Sequence, residues 1–213
     1  MLVNPNTSAA TTAMMTAIAR RTLGPAVRGV TARHGPPMLT DPAALRAAVP
    51  EVVAAGRRAL AAGDCAALIV AAFGDPGLDA LRAVAGEVPV VGIGEASLRE
   101  ASAGGTRFGI ATTTPRLAVS LADGVAALGL TGLFTGVRLT VGDPATLSAD
   151  PDALLEGLAR AVRECVARDG AEAVVIGGGP FAAATETLAP HSPVPLIAPV
   201  PAACRRVRRL LTG

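Results

Sequence analysis

The sequence predicts an α/β fold: two pseudo-twofold-related lobes, each a parallel sheet flanked by helices, with an active-site cleft between them. Three observations predict it. The apolar runs Ala67–Asp75 (ALIVAAFGD) and Ala173–Phe181 (AVVIGGGPF) break abruptly into glycine and proline. Buried parallel strands do this where their C-terminal ends meet a loop. Strand-like and helix-like segments alternate along the chain, the pattern of βα units. Finally, the chain repeats itself: Ala72 and Gly178, like Val90 and Leu196, are 106 positions apart, and Asn4 and Thr112 are 108 apart. The N-terminal lobe is read as residues 1–96, joined by a C-terminal helix over 201–213, and the C-terminal lobe as 97–200.

In order, Met1–Val3 reads as a strand ending in Asn4-Pro5-Asn6-Thr7-Ser8, one of which caps the helix TTAMMTAIARR. Ala26–Ala32 is the next strand, running into His34-Gly35-Pro36-Pro37, and Asp41 and Pro42 supply a cap and first position for a helix to about Ala62. The strand AALIVAAF meets Gly74-Asp75-Pro76, LDALRAVA is helical, and Val88–Ile93 is a strand. The second half follows suit. Arg107–Ala111 is a strand ending in Thr112-Thr113-Thr114-Pro115, RLAVSLADGVAALGL is helical, and Leu133–Val141 is a strand ending at Gly142-Asp143-Pro144. A helix over about Asp152–Arg168 leads to AVVIGGGPF, a helix over Ala182–Leu188 and the strand Pro195–Ala198.

Composition narrows the chemistry. All 19 Lys+Arg residues are arginine, which removes Schiff-base, pyridoxal-phosphate and P-loop lysine mechanisms. Tyr and Trp are absent and the net charge is only +2, so neither stacking platforms nor a broad basic footprint for nucleic acid exists. No run approaches the roughly 18 to 20 apolar residues of a membrane span, and MLVNPNTS, without a basic region or a long apolar core, does not read as a signal peptide. A cytoplasmic location is expected, with no membrane partner. Cys65, Cys165 and Cys204 are odd in number and lack ligand spacing, so they read as buried small hydrophobes, with no metal site. The cluster Arg205, Arg206, Arg208 and Arg209 reads as cations complementing a helix C-terminus. Gly92-Ile93-Gly94 and Gly177-Gly178-Gly179 are too incomplete for dinucleotide or Walker loops.

Asn6–Ser8, Asp75-Pro76, Thr114-Pro115 and Gly179-Pro180 share one device: a capping residue at a strand end, in three cases followed by proline at the first helical position. Helix N-termini present unpaired N–H groups, so a cleft built from them should prefer a small carboxylate or other anion.

The segments VNPNTS, FGDPGL, PVVGIGEAS and ATTTPR together resemble the Asp/Glu/hydantoin racemase family, most closely its hydantoin and allantoin racemase branch, over essentially the full chain. That resemblance implies a cofactor-free, two-lobed enzyme that forms a dimer or higher homo-oligomer. It also implies a pair of cysteines, one per lobe, facing the substrate α-carbon. One would immediately precede Phe73 and the other follow Gly177, where this chain has Ala72 and Gly178. Two-cysteine racemisation is therefore not expected, and the small residues should leave a roomier cleft.

His34, just past a strand end, is the first candidate for proton transfer, because an imidazole titrates near neutral pH. Asp75 is the second, although its place before Pro76 also reads as a cap for the helix that follows. Glu95, after the GIG turn, is a weaker candidate, and His191 reads as structural. Resemblance and helix-terminus physics agree on Asn6, Thr7, Thr113, Thr114, Gly178 and Gly179 as substrate contacts, with Phe73 as a wall. The expected function is an isomerase or lyase acting beside a carboxylate or carbonyl of a small molecule, by elimination, decarboxylation or cyclisation. The alternative is an inactive relative that binds a small acid.

Overall fold

The computed structural model describes residues 1–213. It forms two compact units, Met1–Ala96 with Val200–Gly213, and Ser97–Pro199.

In the first unit, β1 (Leu2–Asn4) leads to α1 (Ala9–Leu23), β2 (Gly29–Thr31), α2 (Pro42–Ala61), β3 (Leu68–Val70), the short α3 (Leu78–Arg82), β4 (Val90–Gly92) and α4 (Ile93–Ala101). The sheet is wholly parallel in the order β2-β1-β3-β4. In the second, β5 (Phe108–Thr112) is followed by α5 (Ala118–Ala127), β6 (Phe134–Leu139), α6 (Pro144–Ala149), α7 (Pro151–Ala167), β7 (Ala173–Gly177), α8 (Ala182–Leu188) and β8 (Leu196–Ile197), and the chain then returns to the first unit with α9 (Pro199–Thr212). Its parallel order, β6-β5-β7-β8, repeats the first. The registers agree as well: Leu2 pairs with Ile69 and Ile110 with Val175, so the 106- and 108-residue offsets are those of the strands themselves.

Three Asp-Pro pairs start helices. Asp41, Asp143 and Asp150 each accept hydrogen bonds from first-turn N–H groups, and the proline after each fills a position whose N–H would have no partner. Ser8 caps α1 by accepting from the Thr11 N–H at 3.2 Å.

The inner strands of each sheet are buried against helices, which is why β3 and β7 are continuously apolar, whereas the edge strands β2 and β6 are only partly buried. Val3, Leu68, Val70 and Val90 pack with Val52 and Ala55 of α2 and with Leu78 and Leu81 next to them. Val174 and Ile176 pack with Leu158, Val162 and Cys165 of α7 and with Phe181. Each fully buried Val, Leu or Ile side chain contributes about 1.5–3 kcal/mol. No helix is long and apolar enough to cross a membrane.

The strands are shorter than the sequence suggests: Ala26–Ala32 contracts to Gly29–Thr31, and Pro195–Ala198 to Leu196–Ile197. Beyond β4 there is no GIG turn; the strand runs directly into α4, and Glu95 lies in its first turn.

Candidate active site

In parallel α/β sheets, ligands bind beyond the C-terminal strand ends. In the first unit, β1 ends at the fully buried Asn4, whose Nδ2 donates to Asn6 Oδ1 (2.8 Å), Thr12 Oγ1 (2.9 Å) and the Ser8 carbonyl (3.2 Å). Asn6 Oδ1 also accepts from the Ser8 N–H at 3.0 Å, which fixes its amide orientation. The loop after β2 lies against this one. Thr7 donates from its N–H to Pro36 O (3.1 Å) and from Oγ1 to Gly35 O (3.3 Å).

His34 belongs to that neighbouring loop. Its side chain is 83% exposed, and Nδ1 lies 2.8 Å from Glu51 Oε1 of α2. The other Glu51 oxygen accepts from the Arg33 N–H at 2.9 Å, and these hydrogen bonds hold the Glu51 carboxyl below its ordinary range. Glu51 went unnoticed in the sequence; a lone glutamate about two and a half turns into the alanine- and valine-rich α2 carries no local signal.

Asp75 departs from the sequence reading. α3 begins at Leu78, and Asp75 does not cap it. Its carboxylate reaches instead to the start of α4, where Oδ1 accepts from the Gly94 N–H (2.9 Å) and Oδ2 from the Glu95 N–H (2.6 Å). It is the one non-glycine residue with positive φ, at 47°, in a region an aspartate can occupy at a cost of roughly 1–2 kcal/mol. The residue keeps some surface exposed while its carboxyl is enclosed, and burial pushes that carboxyl up to about 7 in spite of the two N–H donors. Glu95 pairs with Arg82 at 2.7 Å.

In the second unit, β5 ends at the buried Thr112, which donates to Gly177 O at 2.8 Å and lies 3.2 Å from Thr114 Oγ1. Thr113 is buried and Thr114 partly so; Thr114 precedes a single 3₁₀ turn without capping it. Gly178 is partly buried, Gly179 fully. α8 begins at Ala182, after Phe181, without a side-chain cap. Of the four expected caps, then, only Ser8 caps the helix that follows it. Nor does Gly178 leave empty space: a Cβ there would lie 2.3 Å from two ring carbons of Phe181. His191 is exposed in a 3₁₀ turn before β8, and Phe73 is buried beside Ala72.

A profile of the family described as Asp/Glu/Hydantoin racemase matches residues 1–207. The chain belongs to the Asp/Glu/hydantoin racemase family. Within it, a hydantoin racemase of Paenarthrobacter aurescens is 30% identical over 213 residues, spanning 99% of this chain and 90% of that protein. An allantoin racemase structure from Klebsiella pneumoniae superposes with a TM-score of 0.89 at 29% identity, covering 99% of this chain and 86% of that one. These relatives put it in the hydantoin and allantoin racemase-like branch. Arylmalonate decarboxylase shares the fold, with a TM-score of 0.70 at 19% identity over 100% of this chain and 92% of that one.

This family member places none of its thiols at a C-terminal strand end. Cys65 precedes β3 and donates to Ala67 O at 3.3 Å. Cys165 and Cys204 are buried in α7 and α9, and burial pushes their thiols up to about 12 and about 11. No group of three or more His, Cys, Asp or Glu side chains is gathered as a metal site would require.

Proposed function

We propose that this racemase-family chain is a cofactor-independent isomerase or lyase that acts on a carbon acid, at a carbon next to the carbonyl or carboxylate of a small molecule such as a hydantoin, and that His34 rather than a thiol moves the proton. The observation that carries this reading is the His34–Glu51 pair on the loop beside Asn6 and Thr7. A base whose far nitrogen is held by a carboxylate is oriented for proton transfer through its other nitrogen. Here Glu51 holds Nδ1 of a largely exposed side chain, which leaves Nε2 for the transfer.

His34 Nε2 would take the proton, or deliver one after a carboxylate leaves as carbon dioxide. The negative charge then developing on the enolate oxygen would be met by the side-chain N–H of Asn6, a neutral donor suited to that task. Asp75, with both carboxylate oxygens engaged, would act as a positioning residue that fixes the Ala72–Gly77 turn against α4.

Proton NMR in D₂O tests the reading. Wild type is expected to exchange the α-hydrogen of a 5-substituted hydantoin, aspartate or glutamate, or to decarboxylate an arylmalonate. His34→Gln should lose about 10²–10⁴-fold in that rate. Undiminished turnover in His34→Gln would reject His34 as the proton carrier.

A further inference from the structure

The start of α4 is shaped to hold a carboxyl that belongs to another element. β4 ends at Gly92 and α4 begins at Ile93, with no loop between them. The space over this junction is taken by Asp75: a Cβ at Gly94 would lie 2.9 Å from Asp75 Oδ2, and one at Gly92 closer still. The Gly94 and Glu95 N–H groups that donate to this carboxyl sit in the first turn of α4. That helix carries the chain out of the first unit, for Ile93–Ala96 are counted with the first unit and Ser97–Ala101 with the second.

A charge in this seat has two N–H donors and no counter-ion bonded to it. Arg82 of α3 is the cation that acts on Asp75, yet its guanidinium is engaged by Glu95 (2.7 Å), Val90 O (3.2 Å) and Asp79 (3.6 Å). Glu95 of α4 acts on the seat with a like charge. At α2 the turn meets apolar side chains, Leu45 at Gly74 and Val52 at Gly77. Enclosure of this kind favours the neutral form of a carboxyl.

The segment that carries the carboxyl is able to swing. Gly74, Asp75 and Gly77 have φ of 115°, 47° and 74°. The two glycines leave such values without penalty, and Asp75 sheds strain when it does. Gly74 is exposed and Asp75 partly so, so the way out leads through solvent.

We infer that Asp75 is a proton-operated latch with two positions: closed, with its carboxyl seated over Gly92 and Gly94 and tying the first turn of α4 to the β3 turn, and open, with the carboxylate in water and those two N–H groups released. Loss of the proton to solvent opens it and its return closes it. The closed carboxyl holds its proton up to about pH 7, whereas an exposed aspartate releases its own near 4. Opening therefore becomes easier as pH rises between those values and changes no further above the upper one.

Amide hydrogen exchange of the whole chain tests this without a substrate. After correction for intrinsic exchange, protection of the Gly94 and Glu95 N–H groups should fall by up to about tenfold per pH unit from pH 5 to 7 and then level off. It should also be insensitive to low urea, as local opening is, while the Leu68–Val70 N–H groups of β3 respond to urea. Asp75→Asn should remove the pH dependence at Gly94 and Glu95. In Gly92→Ala, where the seat is filled, the two N–H groups should exchange at every pH as fast as those of wild type above pH 7. Level protection in wild type across this range, or the same pH dependence in Asp75→Asn, would overturn the latch. So would exchange at Gly94 and Glu95 that follows urea as steeply as β3 does, because the two N–H groups would then be released only by global unfolding.

Discussion

The carboxyl group of Asp75 occupies the space that a side chain at Gly92 would need: a Cβ at that position would lie 2.3 Å from Asp75 Cγ. The glycine of β4 is thus the seat for a residue 17 positions earlier, and the pair locks the β3 turn to the start of α4. Gly92→Ala should destabilise the protein by about 1–3 kcal/mol through overpacking. In an Asp75→Ala background the same change should cost much less. Urea unfolding of the two single variants and the double gives the coupling, and strict additivity would refute the seating.

The enclosed Asp75 carboxyl also sets a pH dependence. Its value of about 7 in the folded state stands above the roughly 3.9 of an unfolded chain. The folded state therefore holds this proton more tightly. The stability it contributes is complete below about pH 4 and is lost as pH rises through about 7. Asp75→Asn lacks this titration. Measured against that variant, wild type should lose on the order of 2–4 kcal/mol between pH 4 and 8. A difference that stays constant or grows over this range would contradict the assignment.

Asn4 is fully buried and spends its amide on three acceptors, with the Asn6 N–H returning to its Oδ1 at 3.2 Å. Replacement by alanine removes the acceptor of the Asn6 N–H and one donor each from Asn6 Oδ1 and Thr12 Oγ1. A loss of about 1–3 kcal/mol in urea unfolding is expected, the range for a buried group left unpaired. Because Asn6 is held by this amide, turnover should fall in the same variant even where it remains folded.

Thiol chemistry gives an independent check. Cys165 and Cys204 are buried, with thiols pushed far above neutral, whereas Cys65 is partly exposed at the N-terminal end of β3. Only thiolates react readily, so iodoacetamide at pH 8 should label Cys65 at most, and activity should survive. Inactivation in step with labelling of Cys165 or Cys204 would return a cysteine to the mechanism.

How much of this was legible in the sequence is shown by its four Asp-Pro pairs. At Asp41, Asp143 and Asp150 the dipeptide is a helix start because the cap and the helix it caps are adjacent, and local chemistry decides. Asp75-Pro76 looks the same, yet its partners lie 19 and 20 residues away, on a helix that the sequence reading took for a turn. The two-lobed repeat could be read because register is common to both halves. The His34–Glu51 pair and the seating of Phe181 on Gly178 depend on tertiary approach and on a side-chain rotamer, and neither leaves a periodic trace.

The last helix, α9, is counted with the first unit from Val200 onward, and its Val200, Ala203, Cys204 and Val207 are buried. During synthesis the first unit therefore emerges without its final piece, while residues 97–199 form a continuous stretch that can close as soon as it clears the ribosome. The half of the molecule made first is completed last, and a chain arrested near residue 199 would carry a finished second unit joined to an open first one.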